Sequence, residues 1–493
     1  MSNLLIWILL LCIWNSILFF GKTLGISVIL FVLPFIAFTI YVLISNSKIK
    51  NKYGLLFIIP ITLLSLTYLL FNNAFFNLVN IPIIIILFIL MYIYTIKPTY
   101  NIGNVINDFF TIIFEPLNGI DKVCEIISNK VRGKINISNK THKTIKALLI
   151  TLPIIVIILM LLSSADMVFE QIFSSFFNLF TNMQIEENIN KLIWRIIIIA
   201  IMFLYLSLST YFIIYNYSKI KYESSVVNVS KDNYVIKLLL TILNIIYIIF
   251  DIIQIKSLIL HQVSMDISYA EYARQGFFQL MFVSFINITI VLISKMYEDK
   301  ENKSNNAYIN LMSFIMLILT SIIVISSFMR MYMYEKEYGY TLLRLLVYFT
   351  LITESILFIP TSFYIFNSNL KIFKYYLIIC IASYTLLNYI NVGYIIAYRN
   401  INRYYETNKI DIDYLENYCT DNINLLIELY NKTEDLTLHN SLVTYFYNLK
   451  TSSSNYIEIN GFQEYNISKI KAQYLLKNLN LDYIEESENQ NIS

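Results

Sequence analysis

Long apolar blocks, rather than periodic stripes, set the pattern of this chain. Segments such as IPIIIILFILMYIYTI (81–96) and TLPIIVIILMLL (151–162) carry no charged residue, and crossing a hydrocarbon core of ~30 Å takes ~20 such residues. A soluble amphipathic helix shows a polar face, and these blocks show none, so their solvent is lipid. Eleven spans are predicted, near 4–20, 26–45, 55–71, 81–97, 145–163, 191–215, 235–260, 278–295, 309–329, 341–364 and 375–397. Lipid cannot satisfy an open strand edge, so each span is expected to be a helix. The expected fold class is all-α: a polytopic transmembrane helix bundle of about eleven spans with a small, mainly helical C-terminal extramembrane domain.

The polar segments orient the spans. Lys48, Lys50 and Lys52 fill one loop; Lys122, Lys130, Arg132, Lys134, Lys140 and Lys143 fill the long segment 98–144; and later alternate loops are again basic. Basic loops stay cytoplasmic. The N-terminus is therefore expected inside and, after an odd number of spans, the tail outside. Four parts follow: a four-span segment (1–97), a basic cytoplasmic loop with interfacial helices (98–144), a seven-span membrane core (145–397) and an extracytoplasmic, mainly helical domain (398–493). Within the second part Pro116 is expected to separate two short helices. At 165–183, Phe169, Ile172, Phe173, Phe176 and Phe180 recur at helical spacing, as in a helix lying on a membrane surface or packed on neighbouring spans. In the tail, helices are expected at 399–408, 411–418, 421–432 and 466–479, with a loop and one short strand at 451–461.

Composition sharpens this picture. Apolar residues make up 57% of the 493 and charged residues only 14%, against about 25% in soluble domains. The net charge of +3 is too small for a nucleic-acid surface, so nucleic acid is not an expected partner. Cys12, Cys124, Cys380 and Cys419 form no paired motif, and His142, His261 and His439 stand far apart. No metal site, cofactor or disulfide framework is expected. Glycine-rich phosphate loops, zinc-protease motifs and nucleophile elbows are likewise missing from the sequence.

Chemistry must therefore rest on ionisable groups inside spans, where each is costly and a functional candidate. Asn244, Tyr247, Asp251 and Gln254 follow spacings that put them on one helical face of the seventh span. That stripe either bonds neighbouring helices together or lines a path for a solute or proton. Lys256 lies well round the helix and is expected to reach outward. Glu354 sits mid-way along the tenth span, with Arg344 near its start. They are too far apart on one helix to pair.

Three further stretches stand out: SSADMVF (163–169), SYAEYARQGFFQL (268–280) and RMYMYEKEYGYTLLR (330–344). Together they resemble a family of bacterial multi-pass membrane proteins catalogued as domain of unknown function 4173, related to domain of unknown function 4153. The similarity extends to Asp251 and Gln254, to Asn391, Asn400 and Arg403, and to DIDYL (411–415) and YNISKIKA (465–472), covering roughly 145–480. Met167, Val392-Gly393 and Asn424 stand where that family has Pro, Pro-Asp and Pro. The resemblance implies architecture and a membrane location, and no activity. On the topology above, Asp166, Tyr269, Glu271, Tyr272, Arg274, Arg330, Tyr334, Tyr338 and Arg344 fall at outer ends of spans. They form either an interfacial aromatic and arginine belt or a site for a polar or anionic ligand or lipid headgroup.

Three functions remain in view. One is a non-catalytic sensing or scaffolding protein of a bacterial plasma membrane; the second is a solute or ion transporter using the stripe through Asp251. The third is a membrane-embedded enzyme acting on lipid-linked substrates with Asp166 or Glu271.

Overall fold

A computed structural model describes residues 2–97, 102–119, 187–219, 233–259, 277–295, 303–416, 419–451 and 459–481. These residues form helices and connections, without a strand among them. In chain order the helices are α1 (Ser2–Phe19), α2 (Ser27–Ser45), α3 (Ile58–Leu70), α4 (Ala74–Ile96), α5 (Ile102–Phe114), α6 (Glu187–Tyr215), α7 (Asn233–Ile259) and α8 (Phe277–Ser294). They continue as α9 (Lys303–Tyr338), α10 (Leu342–Phe366), α11 (Ile372–Tyr389), α12 (Val392–Thr407), α13 (Ile412–Glu416), α14 (Cys419–Lys432), α15 (Leu436–Thr451) and α16 (Ile467–Asn478). Among the described residues nine helical segments are long and apolar enough to cross a membrane, and the protein is an all-α polytopic membrane protein. Their many Ile and Val residues are weak helix formers in water. In lipid the backbone leaves them no alternative.

The chain divides into two units. The first comprises residues 1–68, 80–222 and 460–465. In it α1, α2 and α6 share a core of Leu4, Ile8, Leu11, Cys12, Phe38 and Ile214. Lys50 and Asn51 both donate their backbone N–H to the Thr95 carbonyl at 3.0 Å. Gly54 lies so close that a Cβ there would stand 2.7 Å from Thr95 Cα, which requires glycine. Past α4, buried Asp108 of α5 accepts a 2.7 Å ion pair from Lys97. Helix α5 ends at Phe114, and Glu115–Gly119 form one tight 3₁₀ turn. The break expected at Pro116 is thus present, and the second short helix expected after it lies outside the described residues.

The second unit comprises residues 69–79, 223–459 and 466–493. Helices α7, α8 and α10 pack around the long α9. The tail helices build a separate core from Leu415, Leu426, Leu429, Leu442, Phe446 and Ala472. The same core takes in Phe76. Asn466 caps α16 by accepting from the Lys469 N–H at 3.1 Å and donates to the Phe71 carbonyl at 2.8 Å. Ser468 donates to the Leu70 carbonyl at 3.2 Å, and Asp421 accepts from the Asn72 N–H at 3.2 Å. The tail therefore grips the segment that joins α3 to α4.

Several boundaries differ from those read off the pattern. The span expected to end at 329 continues to Tyr338, because Glu335, Lys336 and Glu337 are good helix formers. The last span stops at Tyr389, and Asn391 accepts from the Tyr394 N–H at 3.0 Å to start α12. Helix α15 had not been expected at all; its Thr, Val and Tyr residues mask a helix that packing against the tail core enforces. The span expected at 145–163, the stripe at 165–183 and most of the expected strand at 451–461 lie outside the described residues.

Candidate functional site

The apolar interior of the bundle α7–α10 carries a chain of buried polar side chains. Asn244 donates to the Met312 carbonyl at 2.9 Å, and the Tyr247 hydroxyl donates to Asn287 Oδ1 at 2.8 Å. Asn287 in turn donates to Thr320 Oγ1 at 3.0 Å, whose hydroxyl donates to the Met316 carbonyl at 2.7 Å. Arg330 donates to Gln254 Oε1 at 3.0 Å. Three members of the predicted stripe therefore join helices. The fourth does not: Asp251 is 3% exposed, and neither of its oxygens has a hydrogen-bond partner among the described residues.

Glu354 repeats the situation. It is fully buried, and both of its oxygens likewise lack a partner among the described residues. Beside it stands the Ser284 hydroxyl, which is placed to bond to Glu354 and also donates to the Met281 carbonyl at 2.8 Å. Helix α7 runs parallel to α9, while α8 and α10 run antiparallel to it, as the pairs Asn244 with Met312, Asn287 with Thr320 and Phe328 with Tyr348 require. With a common rise per residue, Asp251, Ser284 and Glu354 share the level of Thr320 to Val324 on α9. Among the described residues no cation is paired with either. Lys295 Nζ donates to Asn310 Oδ1 at 2.7 Å and the Ile365 carbonyl at 2.6 Å, while Lys256 is exposed.

A second constellation closes the end of α9. Gly339 adopts φ +83°, its N–H donates to the Glu335 carbonyl at 2.7 Å, and the chain reverses into α10. Asn400 holds the turn from both sides, accepting from the Tyr340 N–H at 3.0 Å and donating to the Tyr340 carbonyl at 2.8 Å. Arg403 donates to the carbonyls of Lys336, Glu337 and Lys409, and so caps the end of α9. Glu335, 4% exposed, accepts hydrogen bonds from the Tyr340 and Tyr348 hydroxyls. Burial and the adjacent Glu335 push Tyr340 up to about 12, so its phenol keeps its proton and remains a donor. Beside them opens a groove of about 500 Å³ walled by Phe328, Met329, Leu345 and Ile395, with Arg399 at its polar end.

The outer set expected from sequence is only partly described. Asp166, Tyr269, Glu271, Tyr272 and Arg274 lie outside the described residues. Of the others, Arg330 turns to Gln254. Arg344 donates to the Gly339 carbonyl and stacks 4.2 Å over the Tyr334 ring, which lies 5.0 Å from that of Tyr338. Glu335, Tyr340, Tyr348, Arg399 and Lys295 escaped sequence reasoning. Glu335 had the appearance of one charge in the solvated run EKE, and Lys295 that of a loop lysine.

The family model described as Domain of unknown function (DUF4153) matches residues 58–429, reaching further towards the N-terminus than the motifs quoted above. No curated relative and no solved structure matches the chain.

Proposed function

This chain belongs to the DUF4153 family, and because that membership assigns no activity we propose, from its buried carboxyls, that it is a transporter. Asp251 and Glu354 carry a proton or a small cation that is coupled to solute movement. The observation behind the proposal is the pair itself: two carboxyls at one level of one bundle, both buried and neither in an ion pair among the described residues. An unpaired carboxylate in a membrane interior is costly, so each group needs a proton or a cation. Structural acids are tied to donors, as Asp108 is to Lys97. The sensing or scaffolding reading leaves both groups without a use.

Around this proposal we place the finer features. The quoted motifs support a relation to family 4173 and a bacterial plasma membrane, and the basic loops favour a cytoplasmic N-terminus and an outside tail domain.

Dicyclohexylcarbodiimide, which enters lipid and attacks protonated acids, tests the proposal on reconstituted full-length protein. Both residues should be labelled, less as the pH rises, and protection by sodium would identify a cation as the occupant. Asp251→Asn and Glu354→Gln should abolish uptake in cells at normal protein abundance. Absence of labelling at any pH, or unchanged uptake in both variants, would overturn it.

A further inference from the structure

We propose that the groove between α9, α10 and α12 binds the headgroup of a phospholipid carrying both a primary ammonium and a phosphate, such as phosphatidylethanolamine. The site is independent of the intramembrane carboxyls.

Position comes first. Helices α9 and α10 both have spanning length, and the turn Gly339–Thr341 joins them, so the groove beside that turn lies at the membrane boundary. Its mouth is bordered by Met329 and Tyr332, which are 46% and 59% exposed. Phe328, Leu345 and Ile395 line the rest. Apolar walls at the boundary suit the glycerol and upper acyl region of a lipid, and a tyrosine at the rim suits the headgroup level.

The polar end sets the headgroup. Glu335 is fixed by the Tyr340 and Tyr348 hydroxyls and lies within the electrostatic reach of Arg399 and Arg344. Arg344 is committed to the Gly339 carbonyl and the Tyr334 ring. Arg399 is exposed, its guanidinium 5.5 Å over the Tyr340 ring. A planar fork braced on an aromatic face is suited to phosphate. One acid and one available arginine in a single groove match a zwitterion, with the ammonium towards Glu335 and the phosphate towards Arg399. A headgroup with net negative charge would set a second negative group against Glu335. A quaternary ammonium has no N–H to donate to it.

Native mass spectrometry of the full-length protein in detergent tests this with three lipids of identical acyl chains, carrying ethanolamine, choline or glycerol headgroups. The ethanolamine lipid should bind at one site about tenfold more tightly than the other two, the factor that one charge-assisted hydrogen bond supplies. Arg399→Gln, at an exposed position, should weaken all three lipids together, because it removes the phosphate contact they share, and Glu335→Gln should bring the ethanolamine and choline lipids level. Free phosphoethanolamine should not compete at the lipid concentration used. Equal binding of the three lipids to the wild-type protein, which needs no variant to fold, would overturn the proposal, as would an Arg399→Gln protein that binds all three as tightly as the wild type. Competition by free phosphoethanolamine would make the ligand a water-borne one and overturn the assignment to lipid.

Discussion

Replacing Gly339 by alanine and Asn400 by alanine, singly and together, probes the turn that ends α9. Asn400 makes three hydrogen bonds, to the Tyr340 N–H, the Tyr340 carbonyl and the Ile396 carbonyl, at 3.0, 2.8 and 2.9 Å. At about 1 kcal/mol each, Asn400→Ala should cost about 3 kcal/mol, and more where the Tyr340 groups stay dry. Gly339 sits at φ +83°, where an L-residue pays about 1–2 kcal/mol. A Cβ there would also stand 2.6 Å from Asn400 Oδ1, an overlap that adds about 1–3 kcal/mol. Removing the asparagine removes the overlap and leaves the backbone strain. Gly339→Ala should therefore cost about 1–3 kcal/mol less in the Asn400→Ala background than in wild type. Unfolding of the full-length protein in mixed micelles, followed by circular dichroism, measures all four corners of the cycle. Free energies that add to within about 0.5 kcal/mol would refute the reasoning, since independent sites add in that way.

Asp421 supplies a pH test. Burial raises it above the ordinary carboxylate range, outweighing the Ser468 hydroxyl and the Asn72 amide that lower it. The unfolded chain then loses this proton first as pH rises, so the stabilisation is complete below the ordinary aspartate value and fades as pH climbs through the raised one. The melting temperature of the full-length protein should fall over that range, and Asp421→Asn should flatten the fall; an unchanged slope would count against it. Phe446→Ala, at a fully buried position in the tail core, should cost about 3–5 kcal/mol in the same unfolding assay. Lys97→Met removes the cation that pairs with buried Asp108 and should lower stability, by up to about 3–5 kcal/mol, part of it recovered by adding Asp108→Asn. A double variant no more stable than Lys97→Met would contradict that account.

How much of this was legible beforehand depends on how far apart in the chain the decisive groups lie. Apolar blocks longer than a bilayer is thick admit one backbone solution, so the helices and most span positions followed from pattern alone. Spacing likewise put Asn244, Tyr247, Asp251 and Gln254 on one face. It could not say that three of them bond to other helices while Asp251 has no such bond among the described residues, because those partners are 68, 40 and 76 residues away. The end of α9 was hidden for a related reason: EKEYGY reads locally as a solvated run before a glycine. Only the return of α10 and α12 buries Glu335 between two tyrosines and brings Asn400 and Arg403 onto the turn. Local sequence determined which segments are helical and which face of each is polar. Tertiary packing decided which polar groups find partners among the described residues, because satisfaction depends on donors that sequence neighbours do not supply.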